Sequence, residues 1–294
     1  AAARIASPPG TAGRPEQGDP ELLDEVTELV EWPLVVAGEF DAAFLNLPSE
    51  ILVTAMRHHQ KYFALRTPMG DLLNKFLAVS NCRDDRSGAI RRGNERVLRA
   101  RLADARFFWE EDRKAPLRDH AAALERLTFH EKLGSYARKT ARLAALSEAI
   151  VPAFVEAGLS PDAGAVRRAA RLSKYDLSTH MVKEFPELEG IVGGLYACAD
   201  GEPRPLWEAI YGHYLPRGAD DPLPPTPEGA IISLADRLDT QAGTFLLGIL
   251  PTGSRDPYGL RRSVHGACRI LIEFRVSLSV PEMLDLALDG YGDP

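Results

Sequence analysis

The chain has few cysteines, and their spacing limits what they can do. Cys82, Cys198 and Cys268 are the three thiols in 294 residues, and no C-x-x-C occurs. A framework of paired disulfides and a thiolate zinc site are therefore excluded. The pattern is typical of a reducing compartment, so we expect a cytoplasmic protein whose cysteines are small buried residues.

Long apolar runs, bulk positive charge and common catalytic motifs are also missing. No run approaches the roughly 18 residues of a membrane span, and residues 1–18 lack the apolar core of a secretory signal, which predicts a flexible leader. A formal net charge of −7 excludes a protein that coats nucleic acid through bulk charge. No P-loop, nucleophile elbow or dinucleotide fingerprint occurs. We therefore assign no catalytic residue and expect no membrane contact.

Arginine is concentrated in one stretch, residues 91–118. At about 100° per residue this stretch predicts a helix. Gly93 and Asn94 indicate its start, and Pro116 indicates its end. One narrow stripe of the helical wheel is apolar, with Leu98, Leu102, Ala105 and Trp109. The neighbouring arc carries guanidinium groups, from Arg92, Arg96, Arg99, Arg106 and Arg113.

Two interpretations of this helix stay open. A rigid row of guanidinium groups suits phosphates, which makes Arg91, Arg92, Arg96, Arg99 and Arg106 candidate RNA contacts. The same residues are typical of an ordinary solvated helix, in which i,i+4 pairs such as Glu95 with Arg99 and Arg106 with Glu110 contribute a few tenths of a kcal/mol each.

The residues ahead of the arginine stretch predict a small α+β domain, 19–118. The patterns indicate helices at Pro20–Leu29 and Pro48–Met56, a strand at Leu34–Ala37, and a hairpin of Lys61–Arg66 with Leu73–Ser80. His59 and Gln60 stand just before Tyr62 and Phe63. Polar donors beside aromatic rings suit single-stranded RNA, although a strand entering the core with a buried aromatic residue has the same letters.

Beyond residue 118 helical periodicity takes over. We predict a helical domain over 119–250 and the start of a further helical region over 251–294. In that last region Asp256 can cap a helix begun by Pro257, and Arg261 and Arg262 are possible phosphate contacts in its second turn. The fold class is thus mostly α, a small α+β domain followed by an all-helical domain. Its predicted helices are Asp119–Leu133, Ser135–Ala157, Asp162–Glu184, Glu187–Asp200, Pro205–Tyr214, Pro227–Leu247, Pro257–Phe274 and Pro281–Leu288.

One predicted helix carries chemistry-bearing residues at four-residue spacing. Asp176, His180 and Glu184 would share a face, and with His130 and Asp236 they have the composition of a metal site. The arrangement resembles the His-Asp (HD) phosphohydrolase superfamily, whose all-helical domain binds metal through a lone His, a His-Asp doublet and a late Asp.

The doublet position of the histidine is Tyr175 here, and a phenol is a poor substitute for imidazole. We therefore expect a degenerate HD-like site of His130, Tyr175, Asp176, His180 and Asp236, without a metal. The alternative is an active metal-dependent phosphohydrolase that uses His130, Asp176, His180 and Asp236.

Seven motifs in order carry a second resemblance. From about Leu22 to the helix after Pro257 the chain resembles the β subunit of the bacterial two-subunit glycyl-tRNA synthetase. The motifs are LLDEVTELVEWP, FLNLPSEILVTAMRHHQKYF, GNERVLRARLADARFFWEEDRK, FHEKLGS, DLSTHMVKEFPELEGIVGGLYA, LADRLDT and PTGSRDPYGLRR.

The resemblance implies a ligase that joins glycine to its tRNA with ATP, as a heterotetramer. ATP and Mg would act on the α subunit, whereas the β subunit would recognise tRNA and bind no cofactor. Family β chains are longer and carry a C-terminal anticodon-binding domain, so we expect an interior fragment that is inactive alone. Its expected partners are the α subunit and glycine tRNA. A purely structural module that binds the α subunit is the remaining alternative.

Overall fold

The computed structural model describes residues 14–15, 19–252, 256 and 258–292. The chain divides into two compact units, Ala1–Asp112 and Arg113–Pro294, here called the N-terminal unit and the helical unit. A small sheet near the N-terminus is followed by many helices, so the predicted mostly α fold is confirmed. Most of the predicted leader, residues 1–13 and 16–18, lies outside the described residues, as do 253–255 and Pro257.

The N-terminal unit contains an antiparallel sheet in the order β1-β3-β4-β2. The predicted hairpin is confirmed, with Phe63 of β3 opposite Leu77 of β4. The predicted strand pairs with the other edge of β4, and Val35 stands opposite Val79. Gly70 allows the hairpin turn because its φ of 97° favours a residue without a Cβ. The strands are β1 Arg14–Pro15, β2 Pro33–Glu39, β3 Phe63–Arg66 and β4 Leu72–Asn81.

Two helices cover this sheet, α1 at Pro20–Leu29 and α2 at Ser49–Gln60. The Asp19 carboxylate caps α1 by accepting a hydrogen bond from the Leu22 backbone N–H at 2.9 Å. Leu22 and Val26 of α1 pack with Phe63, Leu65 and Leu77 of the sheet in one apolar core. A short 3-10 helix, Ala42–Asn46, connects β2 to α2.

The arginine-rich helix, α3, spans Ala89–Asp112. The Asp85 carboxylate accepts hydrogen bonds from the backbone N–H groups of Ile90 and Arg91, so the helix begins there. The predicted start at Gly93 and Asn94 is wrong, since both lie inside the helix. The end predicted from Pro116 is also wrong, because the helix stops at Asp112.

The helical unit is built around one long helix, α10. Most residues of α10 are buried, and it packs against α5, α6, α9, α11 and α12. The helices of the unit are α4 Ala121–Leu124, α5 Tyr136–Glu156, α6 Ala163–Leu172, α7 His180–Glu184, α8 Ile191–Ala199, α9 Arg204–Gly212, α10 Pro227–Leu246, α11 Leu260–Glu273 and α12 Val280–Asp289. Short 3-10 helices lie at Leu117–His120, Tyr175–Ser178 and Pro186–Leu188.

The predicted helix Asp119–Leu133 is wrong. A 3-10 turn and the single turn of α4 are followed by a small hairpin, β5 Thr128–His130 with β6 Gly134–Ser135. The Leu127 carbonyl accepts from the Tyr136 backbone N–H at 2.8 Å, and Thr128 pairs with Ser135, so this backbone is bonded across a hairpin and not within a helix. Such pairing partners follow the predicted segment in the chain, and the apolar spacing within it favoured a helix.

The predicted continuous helix Asp162–Glu184 is wrong as well, because the chain leaves α6 after Leu172. The Ser173 hydroxyl donates to the Ala170 carbonyl, and a 3-10 helix follows at Tyr175–Ser178. The Thr179 hydroxyl then caps α7 by accepting from the Val182 N–H. Local side-chain hydrogen bonds of this kind compete with a helix, and apolar periodicity does not reveal them.

The cysteines and the apolarity of the helices bear on two expectations from composition. All three cysteines are exposed and unpaired, so the expectation that they are buried is wrong. Within the described residues no helix combines the length and apolarity needed to cross a membrane.

Candidate functional site

The apolar stripe predicted for α3 is confirmed. Leu98, Leu102 and Ala105 are 0% exposed, and Trp109 is 9% exposed. These residues repeat at spacings of three and four, so they form one buried face of the helix. Burial of this face fixes the helix and, with it, the direction of the side chains on the opposite side.

The predicted arginine arc lies in solvent. The guanidinium of Arg92 donates to the Ser87 carbonyl at 2.9 Å, and that of Arg106 lies 5.0 Å from the centre of the Phe44 ring. Each of these side chains is thus held locally while its outer surface stays accessible. The exposed arginines of the arc within α3 are Arg92, Arg96, Arg99 and Arg106; the candidate contact Arg91 is exposed as well, and Arg113 is exposed just after the helix ends.

Arg96 and Arg99 differ from their neighbours on the arc. Neither makes a hydrogen bond or an ion pair with any residue that the structure describes. The predicted pair of Glu95 with Arg99 is not formed, since Glu95 approaches Arg91 at 4.0 Å instead. Phe107 is 58% exposed and lies about 20° from Arg96 on the wheel. Two unpaired cations and an accessible ring therefore share one side of a rigid helix.

His59 and Gln60 lie in the last turn of α2, and both are half-buried. The aromatic residues after them belong to the core. Tyr62 stacks on Phe76 with ring centroids 4.7 Å apart, and its hydroxyl donates to the Asn94 side chain at 2.8 Å. Burial raises the pKa of Tyr62 to about 12. The Tyr62 ring is therefore not available for stacking on a base, which agrees with the core interpretation of this motif.

The residues of the predicted HD-like site do not share a helix face. Asp176 is fully buried in a 3-10 helix, whereas His180 and Glu184 are exposed at the two ends of α7. The Asp176 carboxylate accepts a hydrogen bond from the Gly190 backbone N–H at 2.6 Å. His130 ends β5 and is half-buried. The shared face predicted for Asp176, His180 and Glu184 is thus wrong, because the helix is interrupted between Leu172 and His180.

Two lysines occupy the position around Asp236. Lys174 Nζ lies 2.6 Å from one carboxylate oxygen, and Lys139 Nζ lies 2.8 Å from the other. Lys139 also lies 2.8 Å from the carboxylate of Asp239. The lysine side chains are 2% and 1% exposed for Lys139 and Lys174. The charge of Asp236 is therefore neutralised from inside the protein.

His213 completes this buried network. Its Nδ1 lies 2.5 Å from the Ile210 carbonyl, and its Nε2 lies 2.9 Å from Lys174 Nζ. A carbonyl can only accept, so Nδ1 carries the proton and Nε2 accepts from the ammonium. Burial and the charge of Lys174 keep the pKa of His213 well below its ordinary value, which agrees with a neutral ring.

The pKa values of the network follow from burial and charge. Burial would raise the pKa of Asp236, but Lys139 and Lys174 outweigh it and depress that pKa strongly. Burial would lower the pKa of Lys139, but Asp236 and Asp239 outweigh it. Lys174 has a lowered pKa because its burial, together with the charge of Lys139, outweighs Asp236. Asp176 lacks a lysine at contact distance, and burial raises its pKa to about 6.

This donor set does not fit a divalent cation. Asp236 is occupied by two ammonium groups, and Oδ2 of Asp176 accepts from a backbone N–H while its Oδ1 is buried without a hydrogen-bond partner among the described residues. The Nδ1 of His130 accepts a hydrogen bond from the Lys132 backbone N–H at 3.2 Å. Among the described residues no three His, Cys, Asp or Glu side chains are placed to hold a metal ion. We therefore derive no metal-dependent step from this site.

A cavity of about 360 Å³ opens beside the network, entirely within the helical unit. Asp236 and His213 contribute to its lining, and so do three arginines, Arg217, Arg237 and Arg262. Arg261, the neighbour predicted with Arg262, instead donates from its guanidinium to the Thr252 carbonyl at 2.5 Å. The sequence prediction thus included two residues of this cavity, Asp236 and Arg262, and assigned them to different sites.

The sequence analysis did not identify several residues of the buried network. Arg237 and Asp239 belong to the same motif as Asp236, LADRLDT, and Lys174 is two residues before Asp176, so a closer reading of the polar positions could have found them. Lys139 contacts Asp239 across 100 residues of chain. No spacing rule indicates such a partner.

These features define a class of protein: it is mostly helical, it has two compact units, and it carries an exposed cationic helix. Residues 6–293 match the family model described as glycyl-tRNA synthetase beta subunit. The chain belongs to this family.

Relatives named glycine–tRNA ligase beta subunit are similar over nearly the whole chain. The protein of Acidobacterium capsulatum is 47% identical over 271 residues, which are 92% of this chain and 38% of the relative. That of Moorella thermoacetica is 48% identical over 280 residues, 95% of this chain and 40% of the relative. That of Neisseria gonorrhoeae is 46% identical over 273 residues, 93% and 39%. The chain thus spans about two fifths of the length of these relatives.

Proposed function

We propose that this chain is the portion of a glycine–tRNA ligase beta subunit that binds the tRNA backbone through α3 and contributes to subunit assembly. The attachment of glycine, with ATP and Mg, would occur on the α subunit. The observation that supports RNA contact is the pair Arg96 and Arg99, exposed and without partners among the described residues. Family membership supplies the substrate, since the relatives are named for glycine and tRNA.

The physical argument depends on preorganisation. The buried stripe of α3 holds the helix, so Arg96 and Arg99 do not have to be ordered by folding when RNA binds. Their guanidinium groups need not exchange an existing carboxylate partner for a phosphate. The exposed Phe107 lies on the same side of the helix, about 16 Å from Arg96 along its axis, and offers a surface on which an unpaired base can stack.

The compartment forms part of the same proposal. Three exposed and unpaired cysteines favour a reducing environment, because accessible thiols in an oxidising compartment are commonly oxidised. We therefore place the tRNA-binding role in the cytoplasm.

The test is the salt dependence of tRNA binding. Replacing both arginines, Arg96→Ala with Arg99→Ala, is expected to weaken binding and to reduce the slope of log affinity against log salt by about 2, because each phosphate contact contributes about 1. A matched control removes two exposed arginines from the helical unit, Arg126→Ala with Arg171→Ala. An unchanged slope in the α3 double variant would remove the proposed role of α3.

The purely structural alternative is separated by co-purification with the α subunit. If the chain binds the α subunit and tRNA adds nothing to the complex, assembly is its only role. If tRNA joins the complex with the wild-type chain but not with the α3 double variant, both parts of the proposal are supported. The phosphohydrolase alternative has no supporting observation, since two lysines hold Asp236 and the described residues contain no group of His, Cys, Asp or Glu placed to hold a metal ion.

A further inference from the structure

The cavity of the helical unit has an unusual balance of charge. Its floor contains Asp236, whose two oxygens are already held by Lys139 and Lys174. This carboxylate is therefore neutralised and does not compete for a cation. Glu189 is the other carboxylate of the lining.

The lining thus contains one carboxylate that is not paired with a lysine, Glu189, and three guanidinium groups. Two of these guanidinium groups are held by backbone carbonyls. Arg217 donates to the carbonyls of Glu187 and Glu189, at 3.1 and 2.8 Å. Arg237 donates through Nη2 to the Pro216 carbonyl at 2.7 Å. Because backbone carbonyls are neutral, these bonds orient both cations without cancelling their charge.

Two arginines of the lining, Arg237 and Arg262, have donor groups without a hydrogen-bond partner among the described residues. The Nε–H of Arg237 is buried and has no hydrogen-bond partner in the structure. Leaving a charged donor buried and unsatisfied costs stability, commonly more than about 1–3 kcal/mol. Arg262, in the first turn of α11, makes no hydrogen bond or ion pair with any described residue. Burial lowers the pKa of Arg237, and the nearby charge of Arg262 adds to this lowering.

We propose that this cavity binds the phosphate group of a phosphorylated ligand without a metal, between Arg217, Arg237 and Arg262. The planar guanidinium fork matches phosphate oxygens in pairs, and Arg262 brings to the lining a guanidinium that has no partner among the described residues. A volume of about 360 Å³ lies in the range of small-molecule sites, so the cavity has room for a phosphate group together with a small organic group attached to it. Because Lys139 and Lys174 are already paired with Asp236 and Asp239, the positive charge available to a phosphate comes from the three guanidinium groups of the lining.

The binding of inorganic pyrophosphate to the whole chain tests this proposal by calorimetry and by the shift in melting temperature. The main variant is Arg262→Ala, because Arg262 is exposed and its loss leaves the core intact. We expect it to weaken pyrophosphate binding about ten- to a hundredfold, the range for one charge-assisted hydrogen bond. The control Arg126→Ala removes an exposed arginine outside the cavity and is expected to bind normally.

A second variant keeps the charge of Arg237 but removes its planar guanidinium. For Arg237→Lys we expect weaker pyrophosphate binding in protein that urea unfolding shows to be folded, because an ammonium cannot bind two phosphate oxygens side by side. Absence of pyrophosphate binding to the wild-type chain at millimolar concentration, or unchanged binding in Arg262→Ala, would overturn the proposal.

The source of the phosphate is decided by competition. If glycine tRNA displaces pyrophosphate, the group belongs to RNA; if both bind together, it belongs to a free small molecule. The α3 double variant separates this inference from the tRNA proposal. It should bind pyrophosphate normally, since neither Arg96 nor Arg99 lines the cavity.

Discussion

The ammonium of Lys174 lies 2.6 Å from the carboxylate of Asp236 and 2.9 Å from Nε2 of His213. A carboxylate and an imidazole are common ligands of divalent metals, and here the positive charge between them is the ammonium of Lys174. The ion pair is buried, so its two members depend on each other far more than a surface pair would.

Lys174→Met is expected to destabilise the helical unit by about 3–5 kcal/mol, because it leaves the charge of Asp236 with one partner fewer in a buried place. Urea unfolding measures this loss. The control Lys183→Met changes an exposed lysine and should stay within about 0.5 kcal/mol. Adding Asp236→Asn to Lys174→Met should recover part of the loss. A loss below about 1 kcal/mol in Lys174→Met would contradict the buried-pair account.

Asp176 gives a pH dependence of stability. Its pKa is raised from 3.8 to about 6 by burial, so the folded state binds a proton that the unfolded state releases. This contribution is fully present below pH 3.8 and is lost as the pH rises through about 6, a change of about 3 kcal/mol. Asp176→Asn keeps an oxygen for the Gly190 N–H but has no proton to lose. Its stability relative to wild type should therefore rise between about pH 4 and pH 6, and a constant difference would refute the assignment.

Gly93 lies in the interior of α3, where an added Cβ would meet nothing within 4 Å. Gly93→Ala should therefore stabilise the N-terminal unit by about 1 kcal/mol, the difference in helix propensity. The contrast is Gly194→Ala, whose Cβ would lie 2.8 Å from the Trp207 carbonyl oxygen. This crowding between α8 and α9 should cost about 1–3 kcal/mol or more. Thermal unfolding should show a higher melting temperature for Gly93→Ala and a lower one for Gly194→Ala. Equal changes in melting temperature for the two variants would be inconsistent with this packing.

Added zinc or manganese should not raise the melting temperature of the wild-type chain, and metal analysis after dialysis should find less than one ion per chain. The reason is that two ammonium groups already hold the oxygens of Asp236. A stoichiometric divalent ion that disappears in Asp236→Asn would instead support the phosphohydrolase alternative.

The elements that the sequence predicted well have strong local signals. The stripe of α3 was found because Leu98, Leu102 and Trp109 repeat with the period of a helix, and burial follows that period. The α1 cap was found because Asp19 stands directly before Pro20, and its carboxylate accepts from the Leu22 N–H. The hairpin of β3 and β4 was found because alternation on both sides of a glycine turn is also local.

The failures come from interactions that periodicity does not contain. The break between α6 and α7 depends on the Thr179 cap, and a threonine at helical spacing has no distinctive pattern. The candidate metal site failed for a second reason. Lys139 and Lys174 approach Asp236 from distant parts of the chain, and spacing in sequence gives no sign of that convergence. The residue types of the predicted site were therefore informative, but their geometry was not.

The three exposed cysteines have a practical consequence for single-molecule work. Cys82 belongs to the N-terminal unit, while Cys198 and Cys268 belong to the helical unit. After Cys198→Ser, maleimide dyes at Cys82 and Cys268 would place a donor and an acceptor fluorophore on different units. Energy transfer between the dyes would then measure the distance between the two labelled sites, with and without tRNA.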